Sequence, residues 1–166
     1  MAGGSATKSI PGTDPYLSND ATAQESLGDI RFDLDGRTFR YHQCVSTVTR
    51  GQLVNHLGST GIASARVCPT FATSQIKRPA GACAATSGIT ASYFGWFQIA
   101  GPVGALNTGS TYVRTATKVA AGNFLVQYGN RVCSIVVAGN EHLVFGVARA
   151  TDSGSFLQGG YLFGIA

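Results

Sequence analysis

The segment DIRFDLDGRTFRYHQC, residues 29–44, constrains the fold of this chain more than any other. Asp35-Gly36 sits between two runs that alternate apolar and polar residues. A two-residue turn of the type I′ family needs positive φ at both central positions, which Asp-Gly supplies. That turn predicts Leu34 opposite Arg37, Phe32 opposite Phe39 and Ile30 opposite Tyr41. Ile30, Phe32, Phe39 and Tyr41 would then share one face, and Arg31, Asp33, Thr38, Arg40 and His42 the other.

The rest of the chain predicts the same kind of structure. Of 166 residues, 22 are Gly, and charged residues make up 12%, about half the share usual in a soluble domain. This mixture predicts many short strands joined by tight turns. Strands are expected near 44–49, 52–57, 64–68, 81–86, 93–100, 111–119, 123–128, 131–138, 142–149 and 160–165, with a loop at 73–82. AQESLGDI, residues 23–30, has the pattern for one helical turn. No segment repeats with a period that would suggest a solenoid or propeller. The expected fold is one all-β domain, an antiparallel barrel or sandwich over residues 29–166, preceded by an extended arm at 1–28.

The arm, MAGGSATKSIPGTDPYLSNDATAQESLG, has too few large apolar groups to form a core of its own. Its expected role is to lie across another chain, anchored by Ile10, Pro11, Pro15, Tyr16 and Leu17, with Asp14 available for pairing. Six of the eight acids (Asp14, Asp20, Glu25, Asp29, Asp33 and Asp35) precede Gly36, and none occurs from there to Asn140. Nine bases fall in that acid-free span: Arg37, Arg40, Arg50, Arg66, Lys77, Arg78, Arg114, Lys118 and Arg131. Two readings fit this map: bases scattered over a surface solvated by Ser, Thr, Asn and Gln, or a surface that meets an acidic partner.

ASYFGWFQIAGPV, residues 91–103, surrounds the single tryptophan with aromatics. In a strand, Tyr93, Phe97 and Ile99 point one way and Phe94, Trp96 and Gln98 the other. Both sides are largely apolar, so the strand is expected to be covered on both faces, with Gln98 marking where one side reaches water. Phe32, Phe39, Tyr41, Tyr93, Trp96 and Phe97 are therefore expected in the core or a subunit contact.

Catalytic and metal chemistry find little support. For a facing carboxylate pair the body offers Glu141 and Asp152, and the hairpin Asp33 and Asp35, of which Asp35 is accounted for by its turn. Cys44, Cys68, Cys83 and Cys133 lack the spacing of a metal knot, and His42, His56 and His142 have no ligand spacing beside them. No charged segment followed by an apolar stretch opens the sequence, so no secretory signal is expected and buried thiols are favoured over disulfides. No catalytic residue, cofactor or metal is expected, and no run is apolar and long enough to cross a membrane as a helix.

The succession GDIRFDLDGRTFRY, VTRGQLV, ITASYFGWFQIAGPVGAL and VFGVARATDSG resembles the small β-rich decoration, or cement, proteins of tailed-bacteriophage heads. The resemblance spans residues 28–152. It differs in Phe94, which separates Tyr93 from Gly95, and in the four cysteines. It implies a non-enzymatic virion protein on the outer surface of the capsid, with the major capsid protein and itself, as a homotrimer, for partners. It implies no membrane and no direct nucleic-acid partner. Such a protein stabilises the expanded shell by binding it selectively, and several contacts per oligomer act together. The alternative is a tail or host-attachment binding domain of a virion.

Overall fold

The computed structural model describes residues 14–57, 66–68, 79–103, 113, 119–128, 131–134, 144–151 and 159–163. Ten strands form in chain order: β1 (Ile30–Phe32), β2 (Thr38–Cys44), β3 (Leu53–His56), β4 (Arg66–Cys68), β5 (Pro79–Cys83), β6 (Phe94–Val103), β7 (Phe124–Tyr128), β8 (Arg131–Ser134), β9 (Val144–Ala150) and β10 (Gly159–Phe163). The described residues contain no helix. The chain is all-β, as its Gly-rich, weakly charged composition predicts.

All ten strands hydrogen-bond into one sheet, in the order β1-β2-β4-β3-β5-β6-β10-β9-β7-β8. The sheet closes on itself because β6 also pairs with β2, from Thr38 opposite Ala100 to Gln43 opposite Phe94. Strands β2, β4, β3, β5 and β6 therefore form a five-stranded ring. Beyond the ring, β10, β9, β7 and β8 extend from the far end of β6 as a wing, and β1 flanks β2. Every pairing is antiparallel except β2 with β4. The ten residues of β6 serve both parts: Phe97 and Gln98 pair with β5, and Ala100–Val103 pair with β10.

Alternation along β2 and β6 divides the apolar residues into separate cores. One cluster gathers Cys44, Val48, Val54, Val67, Ala80, Cys83, Ala85, Ile89 and Phe97, with Tyr93 packed against it. A second, Leu53, Ala82, Ile99, Val103, Val113, Val119, Leu125, Ala148 and Leu162, joins the wing to the ring. The third contains Phe39, Tyr41, Ala84 and Trp96, covered by Tyr16 and Phe94. Buried His42 and His56 meet edge to face with ring centroids 5.2 Å apart.

The hairpin forms, but in a different register from the one its Asp-Gly pair predicts. Ile30 lies opposite Arg40, Arg31 opposite Phe39 and Phe32 opposite Thr38. The loop has three residues. Asp33 N donates to Arg37 O at 2.9 Å, and Gly36 N closes the inner turn on Asp33 O at 3.1 Å. Gly36 alone takes the left-handed conformation, with φ 76°. This is the three-residue alternative to the type I′ turn, in which Gly occupies the last loop position. The slip of one residue reverses the faces of β1 relative to β2. Phe32 is 77% exposed, not part of a core, and Arg31 takes the inward position.

Three further expectations are corrected. Residues 45–47 leave the sheet, so the strand expected at 44–49 reduces to an isolated bridge between Val48 and Ile89. Residues 23–30 form no helical turn; Asp29 N instead donates to Ser26 O at 3.1 Å in a tight turn. Gln98 does not reach water. It is fully buried, and its amide nitrogen donates to the carbonyls of Ala100 at 3.0 Å and Pro102 at 2.9 Å. The β2–β6 register shifts between Thr38 and Phe39 beside this segment, and the Gln98 side chain binds the two carbonyls there.

Candidate functional site

The segment expected to reach another chain packs on its own sheet from Asp14 onward. Asp14 starts a tight turn: its carboxylate accepts from Tyr16 N at 2.8 Å, and its carbonyl accepts from Leu17 N and Ser18 N, each at 3.0 Å. The turn delivers Tyr16 edge-on to Phe39, with ring centroids 5.7 Å apart. Tyr16 O accepts from Thr86 N at 2.8 Å. Ser18 Oγ accepts from Trp96 N at 3.3 Å, and Asp20 exchanges backbone hydrogen bonds with Phe94 at 3.0 and 2.9 Å. Residues 14–20 are thus a strap across the outer face of β2 and β6. Residues 14–20, expected as part of the arm, hydrogen-bond to the sheet of the same chain. Leu17, named as an anchor, is exposed, while Ile10 and Pro11 lie outside the described residues.

Arg37 locks the strap to the hairpin. Its guanidinium donates to Tyr16 Oη at 2.8 Å, to Asp33 at 3.2 Å and to Asp35 at 3.1 Å. Burial raises the Tyr16 phenol above its ordinary pKa, and the Arg37 hydrogen bond opposes that shift. Tyr41 Oη donates to Asp20 Oδ2 at 2.9 Å and accepts from Gln24 N at 3.2 Å. Burial pushes its phenol up to about 12.

Trp96 is a wall. It is buried, with Tyr41 against it at 5.1 Å and the Arg31 guanidinium 4.5 Å above its ring. Arg31 is held there by Glu25 at 3.0 Å. Phe39, Tyr41 and Phe97 are likewise buried, and Tyr93 is half-buried.

Between strap and hairpin runs a groove of about 270 Å³. Asp14, Pro15 and Tyr16 form one side; Arg31, Phe32 and Asp33 form the other, over Phe39. Ile30 and Phe32 are exposed beside it, on a strand that ends the sheet and has only β2 for a neighbour among the described residues, and Leu34 is exposed in the loop that follows. An edge strand offers unpaired backbone donors and acceptors, and a large exposed apolar surface marks contact with a partner. Asp14 and Asp33 flank the groove, but Asp33 is engaged by Arg37 and Asp14 by its own turn.

No group of three or more potential metal ligands occurs among the described residues. Cys44 and Cys83 are thiols within the core, and burial pushes Cys83 up to about 12, which suppresses thiolate chemistry. Glu141, His142 and Asp152 lie outside the described residues.

Sequence reasoning missed Arg37 and Asp20 as the organisers of this site. The available signal was the Leu34-Asp35-Gly36 triplet, which satisfies the three-residue loop as well as Asp35-Gly36 satisfies the two-residue one. No protein-family model, curated protein or solved structure matches this chain.

Proposed function

We propose that this protein is a decoration protein of a tailed-bacteriophage head, binding the outside of the mature shell and bridging major capsid subunits. The observation that carries this reading is the exposed edge of β1, with Ile30 and Phe32 open to solvent beside the strap groove. Such an edge is a liability in an isolated protein and an asset in one made to be covered. A partner strand laid along it would gain main-chain hydrogen bonds, and the groove would take a side chain, which is the logic of β-strand addition. The strap, held by its hydrogen bonds to Thr86, Phe94, Trp96 and Arg37, supports the reading because a preformed surface loses little conformational freedom on binding. The resemblance over residues 28–152 supplies the shell as the partner.

A protein that binds only the expanded lattice stabilises that lattice by mass action. The test mixes the purified chain with expanded and with unexpanded empty capsids and measures occupancy after sedimentation. Saturable binding to expanded shells alone, weakened in Phe32→Ala, is expected. Equal or absent binding to the two forms would overturn the proposal.

A further inference from the structure

A second exposed surface lies on the wing. The register aligns Phe124 with Val147, Val147 with Tyr161 and Tyr161 with Pro102, a single row across β7, β9, β10 and β6. Alternate residues Leu125, Ala148, Leu162 and Val103 enter the core, so this row faces outward. Phe163 extends it, two residues along β10 from Tyr161 and opposite Ala100. Phe124 is 52% and Phe163 53% exposed, and the Arg149 guanidinium lies 5.5 Å above the Tyr161 ring. Aromatic side chains and Arg with other charge depleted is the composition of a protein interface core. A nucleic-acid platform would need several cations, since each phosphate contact wants a base.

The same chain carries a surface complementary to this one. Leu34, at the tip of the hairpin, is 91% exposed. Beside it the Asp35 carboxylate is 65% exposed and that of Asp33 35%, while the Arg37 side chain that pairs with both is only 6% exposed. The tip therefore presents an apolar knob rimmed by negative charge, with its balancing cation turned inward. The wing presents an apolar aromatic row with a positive charge at its edge.

We infer that a second copy of this chain covers the wing, its hairpin tip seating Leu34 against Phe124, Tyr161 and Phe163 with Asp35 facing Arg149. The knob is small and convex and the row is broad, so the contact joins unlike surfaces. It closes as a dimer where two such contacts form reciprocally and as a larger ring where they follow head to tail.

Sedimentation equilibrium of the full chain, without capsids, tests this independently of the decoration reading. Concentration-dependent association is expected. Leu34→Asp, Asp35→Lys and Arg149→Asp are each expected to weaken it about tenfold or more. An equimolar mixture of Asp35→Lys and Arg149→Asp should associate again, because the native tip of one meets the native wing of the other. All three positions belong to exposed surfaces, and Trp96 emission reports that each variant is folded. A chain that stays monomeric to about 100 µM, far above the range of specific interfaces, would overturn the inference. So would association indifferent to the three substitutions, or a mixture that fails to recover. Binding of a single-stranded oligonucleotide by the monomer, lost in Tyr161→Ala, would overturn it in favour of base stacking.

Discussion

Tyr41 donates its phenolic hydrogen to the Asp20 carboxylate at 2.9 Å, tying the strap to the middle of β2 across 21 residues of sequence. The pair explains why a segment with few apolar groups is ordered. Its polar groups saturate donors and acceptors that the sheet's outer face would otherwise bury, and Tyr16 adds an aromatic contact with Phe39.

Asp20→Ala is expected to destabilise the protein by about 1–3 kcal/mol, since it leaves the buried Tyr41 hydroxyl without its acceptor. Tyr41→Phe in the Asp20→Ala background should recover part of that loss by removing the stranded hydroxyl. Urea denaturation of the two variants measures the difference. Equal stability of both with the native protein would dismiss the latch.

Removing residues 1–13 is expected to leave the fold intact, whereas removing residues 1–20 is expected to loosen it. The longer deletion uncovers Phe39 and Trp96 and strips the partners of Phe94, Thr86 and Trp96 backbone nitrogens. Hydrogen exchange along β6 should accelerate in the longer deletion only.

Gly36→Ala and Gly101→Ala probe two different costs. Both residues hold positive φ, 76° and 94°. A Cβ at Gly36 meets nothing, so strain alone applies, about 1–2 kcal/mol. A Cβ at Gly101 collides with the Gly36 carbonyl and lies 2.8 Å from Arg37 Cα, so steric displacement of the hairpin adds to the strain. Thermal unfolding should rank Gly101→Ala well below Gly36→Ala.

Stability is expected to fall as pH rises from about 10 to about 12. The Tyr41 phenol ionises near 10.0 when unfolded and near 12 when folded. Over that window the unfolded chain binds fewer protons, so base favours unfolding, and the contribution is complete below pH 10. Cys83, raised from 9.0 to about 12, acts in the same direction from a lower starting point. Tyrosinate absorbance should rise together with loss of Trp96 burial, and Tyr41→Phe should flatten part of the pH dependence.

Trp96→Ala is expected to cost about 3–5 kcal/mol, because Tyr41 and Arg31 cannot both collapse into the vacated volume. Arg31→Ala should cost less, about 0.5–2 kcal/mol, the range of one cation–π contact. Loss of partner binding at full stability in Trp96→Ala would reinstate it as a contact residue.

The strand class, the existence of the hairpin and the burial of Phe39, Tyr41, Trp96 and Phe97 were legible in the sequence, because they follow from local alternation and turn chemistry. Local information also admitted two loop lengths around Asp35-Gly36. Tertiary structure chose between them: Gly101 packs on the backbone of Gly36 and Arg37, and Arg31 rather than Phe32 reaches Trp96. Closure of β6 onto β2 depended on pairing between residues 38–43 and 94–100, a distance over which periodicity carries no information. Residues 14–20 read as part of an arm because the segment they belong to carries few large apolar groups; only the folded sheet, with its waiting donors at Thr86, Phe94 and Trp96, made them a strap. Composition states what a segment brings to a fold, and the partners that make those groups worth ordering are assembled by the rest of the chain.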